Sequence, residues 1–143
     1  MSGPFQVGRA EAYPTPKRDV VSTEKAPKAI GPYSQGVQAG DFVFTAGQAP
    51  IDPATGKLVE GGISGQTRQV LKNIQAILEA GDSSLERVVK TTVLLSDMAD
   101  FQAMNAVYAE FFPPDKNPPA RTTAQAKLPL GALVVMDAVA LII

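Results

Sequence analysis

The segment Pro118–Ile143, PPARTTAQAKLPLGALVVMDAVALII, is the stretch whose reading decides the fold. Two runs suited to strands, ARTTAQAK and ALVVMDAVALII, flank LPLG, a turn signal. The chain therefore ends in sheet. Charge is scarce here: Arg121 stands at the start, Lys127 lies between the runs, and Asp137 is the only charge after Gly131. A charge withdrawn from water costs free energy unless it is paired or put to use. Strand side chains alternate, so Arg121 shares a face with Thr123 and Gln125. If the two runs form a hairpin around Pro129, Arg121 and Asp137 fall opposite each other to within about a residue. That pair is then either a buried salt bridge or an acid that positions water beside an anion-binding arginine. Spacing does not choose between them.

Working outward, RVVKTTVLLS is β-branched and alternating, which predicts a strand. A helix is expected from about Asp97 to Phe112, with Asp97 or Asp100 as N-cap and Pro113-Pro114 as its end. From Ile63 to Ala80 the residues Val70, Leu71, Ile74, Ile77 and Leu78 recur at helical spacing, and Gly81 follows. DFVFTAGQAP alternates and stops at Pro50, a second strand, with YSQGVQAG supplying its hairpin partner. IDPATGKLVEGG reads as a loop. The order β-β-α-β-α-β-β predicts an α+β sandwich with two helices on one face of a mixed sheet. Residues 1–18, rich in Pro and Gly, read as a loosely ordered N-terminal extension to a single domain over 19–143.

Composition removes whole classes of chemistry. The chain has 143 residues, 45% hydrophobic and 19% charged, the balance of a folded domain. A net charge of −1 supplies no basic field for nucleic acid. No apolar run is long enough for a membrane span, and the first residues lack a secretory core, so a cytoplasmic protein is expected. Glu11 and Asp19 argue against a mitochondrial leader while leaving that compartment open. With no histidine and no cysteine, Ser-His-Asp, Cys-His and His-based ribonuclease chemistry cannot be built. Zinc would have only carboxylates to bind it. Catalysis must use Arg, Lys, Tyr, acids, hydroxyls, backbone and water.

Within that inventory, an arginine's five donors suit it to gripping a carboxylate or phosphate in bidentate fashion. Asn105 falls in the helical arc of Phe101, Tyr108 and Phe112, facing the core, where an amide needs partners. Tyr33 sits in GPYSQG, and Gly47 ends a strand in TAGQ, where a missing side chain lets a ligand reach the backbone. Each of these is weak alone: an anchoring amide is at least as good a reading of Asn105, and a packed aromatic and a bulge are the commoner readings of Tyr33 and Gly47.

Taken in order, APKAIGPYSQGV, FVFTAGQAPIDPATGKLV, QTRQVLKNIQAIL, VVKTTVLLSDMADFQAMNAVYAEFF and PPARTT…LPLGALVVMDAVAL closely resemble the reactive-intermediate imine deaminase family, over roughly residues 20–141. The resemblance implies a chorismate-mutase-like α+β fold, assembled as a homotrimer around a central barrel with clefts between subunits. It implies hydrolysis of 2-imino acids such as 2-iminobutanoate and 2-iminopropanoate to 2-keto acids and ammonia, without a cofactor or metal. Arg121 matches the residue that pairs with the substrate carboxylate, and Gly47 a backbone donor. Tyr33 and Asn105 match cleft residues, Thr123 a position whose backbone helps hold imine or water. Asp137 falls where the family usually has a glutamate proposed to orient the attacking water. Aspartate is one methylene shorter, and the stretch between PAR and LP is one residue shorter than in many members. Three rival expectations stand beside this one: the ribonuclease that the family's older names suggest, a non-catalytic trimer that binds small carboxylates or acts as a chaperone-like module, and another enzymatic branch of the family acting on a different enamine or an aminomuconate-like acid.

Overall fold

A computed structural model describes residues 15–143. Strands β1 (Arg18–Val21), β2 (Gly36–Ala39) and β3 (Phe42–Thr45) form an antiparallel meander, followed by a short hairpin of β4 (Ile51–Asp52) and β5 (Lys57–Leu58). Helix α1 (Gly62–Ala80) leads to β6 (Val88–Leu95), helix α2 (Phe101–Phe111), β7 (Ala120–Gln125) and β8 (Val134–Leu141). The main sheet has the order β1-β2-β3-β8-β6-β7, and only the β6–β7 pair is parallel. The expected α+β class with two helices and a mixed sheet is what the structure has.

Alternation makes the layers. Along β8 every second residue, Val134, Met136, Ala138 and Ala140, is buried against the helices. Helix α1 meets that face with Val70, Leu71, Ile74 and Leu78, and α2 adds Met104 and Tyr108. These side chains are almost wholly removed from water, and full burial of each aliphatic one contributes about 1.5–3 kcal/mol. Space as well as pattern fixes the packing: a Cβ on Gly36 would stand 2.8 Å from Ile77 Cγ2. Gly81 ends α1 as expected, but its φ of −96° is open to any residue. Its requirement is room, since a Cβ there would lie 3.0 Å from Val43.

Three expectations need correction. The loop IDPATGKLVEGG contains the β4–β5 hairpin, too short to show alternation. Strand β1 begins at Arg18, which pairs with Ala39, so the folded domain reaches into the proposed extension. Of that extension, residues 1–14 lie outside the described residues. The third correction concerns the C-terminal pair. Strands β7 and β8 do not form a hairpin, because β6 lies between them. The physical reason is division of labour: apolar β8 takes a central position, while polar ARTTAQ takes the edge, where its outer backbone groups can meet water.

Candidate active site

Arg121 stands on the edge strand, in register with Thr91 of β6 and, one strand further in, Ala138 of β8. Register partners share a face, so its side chain rises on the helix-packed side. There α2 offers Phe101, Asn105 and Tyr108, spaced to fall on one side of a helix. Arg121 Nη1 donates to Asn105 Oδ1 at 2.7 Å. Its guanidinium carbon lies 4.7 Å from the Tyr108 ring centre and 5.6 Å from that of Phe101. Among the described residues no carboxylate lies within ion-pairing distance of it, the one such pair being Arg68–Glu110 on the two helices. Most of the donor fork therefore remains uncommitted. A cavity of about 400 Å³ opens beside it, walled by Ala109, Phe112, Pro114, Pro118 and Pro119. Thr123, two residues on and half-buried, shares the face.

Tyr33 and Gly47 form a second locality. Tyr33, half exposed, lies against a cavity of about 930 Å³ made by residues 20–35 with Ile51, Pro53 and Gly56. That loop is held from inside by Gln35, 6% exposed, which accepts from Thr23 N and donates to the carbonyls of Thr23, Ala26 and Pro27. Tyr33 Oη accepts the Ile30 N–H at 3.2 Å. Around Gly47, Ala46 donates to Gln35 and Gln48 to Met136, whereas the Gly47 N–H has no backbone acceptor among the described residues. A Cβ on Gly47 would stand 3.3 Å from Val135 Cγ1, so glycine keeps this approach open.

Asp137 is not across from Arg121. It is the register partner of Thr92, which in turn pairs Thr122, and these three share the open face of the sheet. Lys90 stands on the same face and donates to Thr122 Oγ1 at 2.8 Å. Burial pushes the Asp137 carboxyl above the usual carboxylate range, against the opposing effects of a Thr92 hydrogen bond and the Lys90 charge. Within one chain the site residues thus fall into two groups, Arg121–Asn105–Thr123 on one face and Tyr33–Gly47 elsewhere. Asp137 lies nearer the second: it follows Val135 by one full strand repeat on the same face, and Val135 is what a Cβ on Gly47 would meet. Sequence reasoning gave no role to Gln35, whose isolated glutamine carries no periodic signal. It also gave none to Tyr108, although the arc containing Asn105 already included it.

The fold is an α+β sandwich whose edge-strand arginine meets no carboxylate among the described residues. The chain belongs to the family described as endoribonuclease L-PSP, which matches residues 23–142. A RutC family protein of Pyrococcus horikoshii is 55% identical over 124 residues, 86% of this chain and 97% of that one. The human protein named 2-iminobutanoate/2-iminopropanoate deaminase is 46% identical over 125 residues, 87% of this chain and 90% of its own. Among solved structures, Escherichia coli TdcF with bound serine superposes with a TM-score of 0.81 at 38% identity, covering 86% of this chain and 98% of that one. The family named from the motifs is therefore the right one, and imine deaminases are among its named members.

Proposed function

We propose that the protein hydrolyses 2-imino acids to 2-keto acids and ammonia, at a site completed by a second copy of the chain. One observation carries this reading: Arg121 is held by an amide oxygen and aromatic faces rather than by a carboxylate, so its fork is free to take one. The naming of the human relative as an imine deaminase and the serine bound to TdcF, an α-amino acid, support a small 2-substituted carboxylate as ligand.

The chemistry needs no strong nucleophile. With the carboxylate on Arg121, water adds to the imine carbon; the C–O bond forms as the C=N π pair moves to nitrogen. A proton transfer from the added water to nitrogen gives a carbinolamine. Collapse passes the hydroxyl proton to nitrogen, forms C=O, breaks C–N and releases ammonia. Asn105 and Thr123 line the Arg121 side; the partner's surface around Tyr33 and Gly47 supplies the other wall, with the Gly47 N–H as donor. Asp137 enters from that second wall, as the acid that orients water and relays its proton. A carboxylate whose proton affinity burial has raised is the stronger base toward that water. Holding imine and water together supplies several kcal/mol of the barrier reduction. The homotrimer expected from the family would provide such an interface.

The test is turnover of 2-iminobutanoate generated in place by a threonine dehydratase, with semicarbazide trapping what remains. Wild type is expected to suppress trapping. Arg121→Ala should lower kcat/KM by about 100-fold or more, roughly the 3 kcal/mol of a desolvated charge-assisted pair. If folded wild type leaves trapping unchanged while still binding 2-oxobutanoate, the protein is a carboxylate-binding module instead.

A further inference from the structure

A single hydrogen bond from Nη1 to Asn105 fixes one point of the Arg121 guanidinium and leaves its plane free to turn. Bidentate recognition of a carboxylate depends on that plane. Two aromatic rings lie over it, Tyr108 at 4.7 Å from the guanidinium carbon and Phe101 farther off at 5.6 Å. Tyr108 is itself fixed at both ends. Its hydroxyl shares a 2.7 Å hydrogen bond with Thr91 Oγ1, and its ring packs at 4.8 Å and 43° against Phe112. Thr91 is 1% exposed and is the register neighbour of Arg121 across the β6–β7 pair. A closed circuit results. It runs from the Arg121 backbone to Thr91 by the sheet, from Thr91 to Tyr108 by hydroxyls, and from the ring back to the guanidinium by the cation–π contact.

We propose that Tyr108, tethered by Thr91, is the positioning residue that sets the plane of the Arg121 guanidinium and so decides which of its N–H groups face the ligand carboxylate. The effect on substrate rests on reading Arg121 as the carboxylate anchor; the effect on the guanidinium does not. Tyr108 is suited to the task because it orients the cation without neutralising it. Burial raises its phenol above the ordinary tyrosine value, outweighing the Thr91 hydrogen bond and the nearby Arg121 charge. A phenolate here would compete with substrate; a buried neutral ring does not. Asparagine could not replace it, since an amide oxygen offers a point of contact and no broad face.

The experiment follows the Arg121 side-chain Nε–H by nitrogen-edited NMR, assigned by its absence in Arg121→Lys, together with imine turnover and 2-oxobutanoate binding. In wild type, ring current should displace the Hε signal from its free-arginine position. Tyr108→Leu should move it most of the way back, leaving the smaller effect of Phe101, raise KM about tenfold and leave kcat within about threefold, as expected for loss of a partly desolvated cation–π contact. Tyr108→Phe keeps the ring and should recover most of both. Thr91→Val, close in shape to the original, should raise KM about threefold, the loss of one hydrogen bond. It serves as the deciding variant if Tyr108→Leu does not fold by circular dichroism. An undisplaced Hε in wild type overturns the proposal. So does one displaced as far in Tyr108→Leu as in wild type, or a Thr91→Val variant identical to wild type in both readouts. A displaced Hε that depends on Tyr108, in a protein that neither turns over imine nor binds 2-oxobutanoate, sinks the deaminase reading while upholding the positioning device.

Discussion

The two faces of the sheet treat their charges differently. On the helix-packed face Arg121 sits at the rim, its stem against aromatic rings and one N–H on Asn105. On the open face Asp137 sits among Val135, Val139 and Leu141, with Thr92 and Lys90 as polar company. The packed face is finished within one chain: its residues are buried and its cation is fixed in place. The open face is not, for Phe42 and Phe44 remain 37% and 43% exposed with their rings 6.4 Å apart. A completed surface can orient a charge in advance, whereas an uncompleted one leaves its charge to be finished by whatever covers it. The proposed division of the site between two copies follows from that contrast.

The sharpest way to break the comparison is complementation. Arg121→Ala and Asp137→Ala chains should each lose most turnover, the first by about 100-fold and the second by about 10- to 100-fold, the usual range for an acid/base group. Refolded together at equal amounts, they should regain activity at about a quarter of the wild-type level, because in a closed ring of head-to-tail interfaces that share of sites draws both intact residues. If the mixture stays as inactive as its parts, Arg121 and Asp137 do not meet across an interface. The site is then not divided between copies in this way.

The next effect separates the faces by packing. Leu71, wholly buried in the core, should cost about 2–5 kcal/mol when cut to alanine, through lost burial and a residual cavity. Phe44→Ala should cost under about 1 kcal/mol in a single chain, since much of the ring is already in water. Denaturant melts of dilute monomer check both values. Sedimentation adds the discriminating result: if another copy covers the open face, Phe44→Ala weakens association while Leu71→Ala, at temperatures where it remains folded, does not.

The contrast also explains what could be read from the chain. Long periodic segments announced themselves: α1 extends over Gly62–Ala80 where Ile63–Ala80 was expected, and Asp97 Oδ1 does cap the turn before α2 by accepting from Ala99 N. The family was legible because its motifs are local runs in fixed order. Strand order was not. Counting outward from Pro129 assumed that neighbours in sequence are neighbours in the sheet. Instead α2 crosses from β6 to β7 and sets them side by side in parallel, and Leu130 at φ 62° turns the chain into β8 on the far side of β6. Arg121 and Asp137 stood out in the chain as charges needing a reason. Their supposed contact failed because strand pairing is a long-range property. The Asn105–Arg121 bond was half legible, since the helix arc faced inward but nothing in the spacing named its partner.

The smallest expected effect is also the most specific to the open face. Because burial raises the Asp137 carboxyl in the folded state, folding favours its protonated form. The folded chain therefore binds this proton more tightly than the unfolded chain, and the residue's contribution to stability falls as pH rises from the unfolded value through the folded one. Asp137→Asn removes that penalty. The variant should melt at a higher temperature than wild type near pH 7, and the difference should vanish below about pH 3.5, where both folded and unfolded aspartate are protonated. Stabilisation joined to lost turnover would mark Asp137 as a charge kept for function at the expense of the fold. A variant that melts below wild type at pH 7 would show instead that Thr92 and Lys90 already satisfy the ionised carboxylate. The open face would then hold its charge as securely as the packed face holds Arg121.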